Sequence, residues 1–361
     1  MLFNKDGTTG SLELKALIGF IYKSINFDNL KSYVGFAERD IKKIIGTEVF
    51  QVAQDHYDSE NYQLAEADED HPEYAVLDEL VSKIQYPVAV HAYRKYVPSS
   101  DLTHSDKGRQ IFVSEQEKPA FEWQIEKDNE NLLRLANEAT DMLLEFLDFH
   151  MDDEVTTVPE DETDPPADPP VEPEAAVTTT LIPWKTSGAF LASRELFINT
   201  VDEFQKIFMI GGSRLTFLSL LPIMRRVQDN ELKSCFTAEK YAELIAEIED
   251  DDVSEENAII LDKARQPLAL LTLSVAAKRL TSEIMPDGIF SNMTTSVVKS
   301  KMPSSKIDRN EVSSLLEKDG LRELRKLQDH LAKLAATAAG ESIEPIDFTE
   351  RIDVTEKFVR L

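Results

Sequence analysis

Histidine is the commonest metal ligand and acid–base side chain in proteins, and the six histidines here are scattered along the sequence. No two are four residues apart, as a helical zinc site requires, and the single cysteine, Cys235, completes no nearby ligand set. The run Asp55-His56-Tyr57-Asp58 carries ligand-type side chains, but a solvated turn after a helix is the commoner structure for such a run. His91 stands in an apolar segment beside Tyr93, which favours a hydrogen-bonded core or interface histidine. The sequence therefore predicts no metal site and no cofactor.

The segment Met209-Ile-Gly-Gly-Ser-Arg214 superficially resembles a phosphate-binding loop. It lacks the Lys-Ser/Thr pair and the glycine spacing that such a loop needs after a strand. The amides at a helix N-terminus could still hold an anion here. The simpler interpretation is that Gly211 and Gly212 end one helix and Ser213 caps the next one.

Other patterns with chemical potential also favour structural roles. The sequence has no G-x-S-x-G nucleophile motif and no local Cys–His signature. The acidic run Glu247 to Glu256 lacks the central glycine of a calcium loop, which indicates a solvated loop. Basic clusters at Lys299 to Lys306 with Arg309, and at Arg322 to Lys326, favour salt bridges along helix faces over contacts with an acidic partner. We therefore expect no enzymatic activity and assign no catalytic, cofactor-binding or metal-ligating residue.

The elements that carry these residues are predicted to be helices. Thr200 and Glu203 form a capping box that opens a helix through Phe208. Ser213 begins a second helix, and Thr237 begins a third that runs to about Glu249 with apolar residues at helical spacing.

The longest apolar helix is predicted over residues 257–282, and its composition places it in the middle of a bundle. Pro267 should kink this helix or mark its restart. A further capping box, Asp308 to Glu311, is expected to open a helix towards Ala338, with Gly320 as an interruption.

The first half of the chain follows the same plan. It ends in an amphipathic helix over residues 119–149, preceded by a turn or small hairpin between Thr103 and Val113 with Gly108 at its tip. One face of that helix is predicted to carry Ile125, Leu132, Ala136, Ala139, Leu143 and Phe146.

The two halves resemble each other, which indicates an internal repeat. Asn26 to Leu30 lies 174 positions before Thr200 to Phe204, and Pro87-Val-Ala lies 180 positions before Pro267-Leu-Ala. We therefore predict an all-α fold made of two similar helical-bundle units in tandem, with extended terminal arms.

Residues 151–180 separate the two units. They hold ten acidic residues, six prolines and no Lys or Arg, so they are predicted to form a disordered acidic linker. The units are then residues 1–150 and 181–340. Residues 341–361 alternate apolar and charged positions, which predicts an extended arm that packs either on its own domain or on a neighbouring copy.

Composition narrows the class of protein further. The chain has 361 residues, 42% of them hydrophobic, and a formal net charge of −28. Such an acidic chain is unsuited to general nucleic-acid binding or to adsorption on an anionic membrane. The first residues lack the apolar core of a signal peptide, and Pro267 to Ala277, the longest apolar stretch, is too short to span a bilayer. We expect a soluble protein of a reducing compartment.

Residues 196–227 resemble an uncharacterised family encoded among the virion structural genes of tailed phages and prophages. The family pattern has an apolar entry to a first helix, then a Gly-Ser-Arg-x-Thr-Phe string that opens a second. The matching positions are Phe204, Gly212, Ser213, Arg214, Thr216, Phe217, Leu220 and Pro222. The likeness extends loosely over residues 195–295, and the first half shows it more faintly.

The helical unit is also similar to head–tail connector (adaptor, neck-ring) proteins of such phages, small helical subunits that form a ring beneath the portal. This resemblance implies a structural, non-catalytic protein of the virion neck, made in the cytoplasm of the bacterial host. It also implies a homo-oligomeric ring, of six or twelve copies, that contacts portal and tail proteins. The stretches 87–108 and 267–288 would correspond to those that reach the next ring.

Three alternatives remain open at this stage. One is a helical scaffold or regulatory protein–protein interaction module of bacterial origin. Another is an enzyme with a metal or anion site near His56 or Gly211. A closer variant of the leading interpretation is a virion scaffold or cargo protein.

Overall fold

A computed structural model describes residues 1–63, 71–101, 103–105, 108–110, 120–157, 177–279 and 306–338 of the protein. Over these residues the fold is all-α, as predicted, with two short antiparallel strand pairs. None of the described helices is long and apolar enough to cross a membrane. The predicted arm at residues 341–361 lies outside the described residues.

The first unit is a bundle built around one apolar helix. Its helices are α1 (Gly10–Ile18), α2 (Phe27–Ile45), α3 (Thr47–Asp58), α4 (Pro72–Ser100) and α5 (Glu122–Phe149). The middle of α4 is buried almost continuously from Ile84 to Ala92, and α2, α3 and α5 all contact it. At the amino end of the chain, Leu2 and Phe3 are also buried in this core.

Helix α5 confirms most of its predicted buried face. Leu132, Ala136, Ala139 and Leu143 are buried, whereas Ile125 is 38% exposed. The prediction is wrong for Ile125, because α5 extends about three turns beyond the body of the bundle, and every residue from 120 to 131 is exposed. The helix begins at Glu122, close to the predicted position.

The predicted hairpin before α5 is present. Strands β1 (Thr103–Ser105) and β2 (Gly108–Gln110) pair antiparallel, with Ser105 opposite Gly108. Gly108 therefore opens the second strand instead of forming the tip.

The stretch predicted as a disordered linker has ordered ends. Strand β3 (Glu154–Thr157) pairs antiparallel with β4 (Val177–Thr180), so a short ladder holds together the two ends of residues 158–176, which lie outside the described residues. After β4 the chain returns to the first core, where Ile182 and Trp184 are buried. The predicted start of the second unit at residue 181 is therefore too early, because its own core begins at Leu196.

The described residues of the second unit form four principal helices after the short helices α6 (Gly188–Arg194) and α7 (Val201–Ile207). These are α8 (Arg214–Val227), α9 (Ala238–Glu249), α10 (Glu255–Arg279) and α11 (Lys306–Ala338). A π-helical turn and a 3₁₀ turn, residues 228–235, join α8 to the segment before α9.

The N-caps of this unit confirm the sequence prediction. Thr200, Ser213 and Thr237 each accept a hydrogen bond from the backbone N–H three residues later. The reciprocal bond of the first cap is shifted by one residue, because Glu203 Oε2 accepts from the N–H of Asn199. The prediction for α11 is wrong at its start: the helix begins at Lys306, so Asp308 lies within it and does not cap it.

Helices α10 and α11 form the antiparallel centre of the second unit. Helix α10 continues through Pro267 without a restart, and nearly all of it from Pro267 to Ala277 is buried. The two helices approach closely at small residues: the Ser313 hydroxyl donates to the Ser274 carbonyl at 2.9 Å, and Gly320 lies against Leu271. Gly320 therefore permits close packing and does not interrupt α11.

The two units share some features that the predicted repeat requires. Asn26 caps α2 as Thr200 caps α7, and Pro87 and Pro267 both lie inside the central apolar helix of their unit. Each central helix is followed by a long helix that packs against it. A common origin of the two units remains a prediction.

The close approach at Gly320 predicts that Gly320→Ala destabilises the protein. A Cβ at this position would lie 2.7 Å from Leu271 Cγ and 3.2 Å from the Leu271 nitrogen. We expect a loss of about 1–3 kcal/mol from overpacking, which exceeds the gain of about 1 kcal/mol in helix propensity. Denaturant unfolding followed by circular dichroism measures the change.

Gly35→Ala is the matched control, because Gly35 also lies inside a helix but a Cβ there would meet nothing within 4 Å. We expect it to stabilise the protein by up to about 1 kcal/mol. Equal stabilisation of both variants would contradict the close approach of α10 and α11 at Gly320.

Candidate functional site: the contact between the two units

The Gly-Ser-Arg string lies where the second unit meets the first. Helix α7 ends at Ile207, and the chain then reverses through Gly211 and Gly212, whose φ angles are +70° and +69°. Only glycine adopts two consecutive left-handed conformations at little cost. The reversal aims the N-terminus of α8 at the side of α5.

A carboxylate of the first unit occupies this helix N-terminus. Asp141 of α5 accepts a hydrogen bond from the N–H of Leu215 at 2.7 Å, and Ser213 also hydrogen-bonds to it. The positive end of the α8 dipole favours a negative charge at this position. Burial nevertheless raises the pKa of the Asp141 carboxyl, and the hydrogen bonds from the α8 terminus only partly oppose that effect.

The arginine of the string pairs with a second carboxylate of α5. Arg214 Nε donates to Asp148 Oδ2 at 2.8 Å, and the indole N–H of Trp184 donates to Asp148 Oδ1, also at 2.8 Å. Asp148 thus binds both the buried Trp184 and the first turn of α8. Leu215 and Leu218 of α8 pack against the first core beside these polar contacts.

These contacts distinguish between the two roles that the sequence allows for the segment at Gly211 and Gly212. The sequence predicted either an anion at the helix N-terminus or a cap between two helices, with the cap favoured. The Ser213 cap is confirmed, and the anion at this terminus is Asp141 of the same chain. The arrangement joins two helical units, and its polar groups satisfy one another.

His56 does not lie in a solvated turn, so that prediction is wrong. It belongs to the last turn of α3 and is 6% exposed. Its Nε2 lies 2.7 Å from Asp78 Oδ1 of α4, so the side chain packs against that helix. Its neighbour Tyr57 is buried too and donates its hydroxyl hydrogen to Glu13 at 2.7 Å. Both side chains tie α3 to other parts of the first core.

His91 is a core histidine, as predicted. Its Nε2 lies 3.2 Å from the Thr140 hydroxyl oxygen, and that hydroxyl donates to the Ala136 carbonyl. Nε2 is therefore the donor of the pair. Burial, reinforced by the positive charges of Lys95 and Arg94, lowers the pKa of His91 to about 4.

The charged runs named in the sequence analysis also have internal partners. In the acidic run, Asp251 binds Arg194 through two hydrogen bonds, and Glu247 accepts from Ser254. In the second basic cluster, Arg322 and Lys326 pair with acidic residues of their own helix, which confirms salt bridging along the helix face. The side chains of the first basic cluster lie outside the described residues.

No metal site emerges in the part of the chain that the structure describes. No group of three or more His, Cys, Asp or Glu side chains there is arranged to hold a metal ion.

Residues 41–156 match a family of unknown function, DUF6712. The match runs from the second half of α2 to β3, so it covers most of the first unit and less than half of the chain. No curated protein and no solved structure matches the chain. The match does not reach the string at Gly212, and the resemblance of that string to a virion family remains a prediction.

The residues of α5 that form this contact were not predicted from the sequence. Asp141, Glu145 and Asp148 are spaced i, i+4 and i+7, so they lie on one face of a helix. Such an acidic stripe beside a buried face is the signal that could have indicated a docking surface for a helix N-terminus or an arginine.

Replacing Asp141 tests the contact. Asp141→Ala leaves the Leu215 N–H without its acceptor, and we expect a loss of about 1–2 kcal/mol, as for a removed helix cap. Asp141→Asn keeps an acceptor oxygen and should remain close to the wild type in denaturant unfolding at acidic pH, where the carboxyl is protonated. Equal stability of the alanine variant and the wild type would contradict the assigned role.

The stability difference between Asp141→Asn and the wild type is expected to depend on pH. Because the pKa of Asp141 is raised in the folded state, the folded protein holds this proton more tightly than the unfolded chain does. The stability from this group is present at low pH and is lost as the pH rises through the folded pKa. Asp141→Asn should therefore gain stability relative to the wild type as the pH rises.

His91 predicts the opposite dependence. Its pKa is lowered to about 4, so the unfolded chain takes up this proton first as the pH falls below about 6.5. Between pH 8 and pH 5 we expect the wild type to lose about 2 kcal/mol through this group. His91→Gln should remove that part of the slope in denaturant unfolding at each pH, and an unchanged slope would contradict the prediction.

Proposed function

We propose that the protein is a structural, non-catalytic virion protein, a head–tail connector or neck-ring component that joins the portal and tail of a tailed phage. The proposal rests first on the likeness of residues 196–227 to a virion structural family. One observation carries it further: the polar residues of the Gly-Ser-Arg string contact α5 of the first unit. The part of the chain with this likeness thus serves to fix two helical units together.

The charge of the chain is compatible with a role beside passing DNA. A wall with a large excess of acidic groups repels phosphates, whereas bound phosphates would retard transit through a ring. The net charge of −28 supplies this excess. The proposed partners are other copies of the chain, in a ring of six or twelve, together with portal and tail proteins of the virion.

Native mass spectrometry of the full-length chain tests the proposal. The protein is measured at low and at moderate salt, alone and mixed with the products of neighbouring genes. We expect a closed ring of six or twelve copies, either alone or on addition of a portal protein. A chain that stays monomeric with every virion neighbour would overturn the proposal in favour of a helical scaffold or regulatory module.

A further inference from the structure

A row of aromatic rings lies on the surface of the first unit, across the segment between α1 and α2, α2 itself and the second half of α4. We call it the aromatic surface; it consists of Tyr22, Tyr33, Phe36, Tyr93 and Tyr96. Successive ring centroids are 5.2 to 6.4 Å apart, so the rings form one continuous patch. Its members are partly exposed, and Phe36 is 49% exposed. Aromatic residues in contact with each other and with solvent are typical of protein–protein interfaces.

Around Phe36 the charge is locally positive, whereas Asp101 and Asp128 lie near Tyr93. Arg39, Lys43 and Lys95 all pair with one carboxylate, Asp40, so cations outnumber anions in this group by three to one. The Arg39 guanidinium also lies 5.6 Å from the centre of the Phe36 ring. An aromatic surface with arginine at its edge can accept an acidic partner that also carries apolar side chains.

The first turns of α5 have the complementary character. We call residues 121–131 the acidic tip. All of them are exposed, with Phe121 at 69% and Trp123 at 62%. The tip carries four acidic residues and one lysine, and it projects beyond Leu132, where α5 enters the core.

The tip and the aromatic surface adjoin within one copy but do not cover each other. Asp128 is close enough to Tyr93 to help raise its pKa, after the larger effect of burial. The aromatic side chains of the tip nevertheless remain mostly exposed. The other described residues of the same copy cover neither surface, so both are open to a second molecule.

We propose that the acidic tip of one copy docks on the aromatic surface of a second copy. This inference rests on the proposed function only in that both require copies of the chain to associate. Two copies of so acidic a protein repel each other over most of their surfaces, and contact is favoured where opposite charges meet. Phe121 and Trp123 would supply the apolar centre of the interface, with Arg39 and Lys43 facing the carboxylates of the tip.

A charge exchange tests the contact by sedimentation velocity over a concentration series. Arg39→Glu with Lys43→Glu, and separately Glu126→Lys with Glu130→Lys, should each weaken self-association by about tenfold or more. Combining the four substitutions in one chain should restore association, because the signs are opposite again. Recovery of this kind would not follow from damage to folding.

The matched control for Arg39→Glu with Lys43→Glu is Lys206→Glu with Arg226→Glu, which shifts the net charge by the same amount in the same direction at exposed positions of the second unit. It should associate like the wild type, and circular dichroism should show all variants equally helical. Trp123 gives an independent readout: its fluorescence should shift to the blue as the wild type associates, while Trp184 is already buried.

Three outcomes would overturn the inference. The wild type could remain monomeric at all concentrations. A ring could form that neither charge reversal weakens, in which case the proposed function would stand and this contact would be wrong. Alternatively, a monomeric wild type could bind duplex DNA and lose that binding with Arg39→Glu and Lys43→Glu, which would make the aromatic surface a nucleic-acid site.

Discussion

The structure depends on two apolar helices that must be covered on nearly every side. The middle of α4, around Ile84 to Ala92, and of α10, from Pro267 to Ala277, is buried almost continuously. A helix that is apolar around its circumference is stable in water only when other helices enclose it. In the described residues, α1, α2, α3 and α5 contact α4, and α7, α8 and α11 contact α10, with the long α5 and α11 as antiparallel partners.

The two units contact each other, and electrostatic interactions form much of that contact. The N-terminus of α8 presents free amides and a positive dipole to Asp141, while Arg214 and Trp184 share Asp148. These are directional contacts, so they fix orientation as well as proximity. The course of the chain adds to these polar contacts. After β4, Ile182 and Trp184 are buried in the first core, and the chain then enters the second core. The units are therefore joined through packing and polar contacts as well as through the chain between Trp184 and Leu196.

The parts of the fold that local chemistry determines could be predicted from the sequence. The caps at Thr200, Ser213 and Thr237 depend on residues within one turn, and the apolar stripe of α5 depends on helical periodicity alone. Burial of His56 and Tyr57 could not be predicted in this way. Their partners, Asp78 and Glu13, are distant in the sequence, so the polar run looked solvated. The contact between the two units could not be predicted for the same reason. Asp141 lies far from Leu215 in the chain, and no local pattern links them.

The acidity of the chain also constrains how copies can associate. Screening limits charge interactions to about 8 Å at physiological salt, so the local balance of signs at a contact matters more than the total of −28. Near Phe36 of the aromatic surface, three cations pair with Asp40, whereas the tip of α5 is acidic and retains exposed aromatic rings. If copies associate through the proposed contact, an excess of acid elsewhere would favour that contact, because it penalises other encounters between copies. The same charge that would keep DNA off the wall of a ring would thereby also specify how the ring is built.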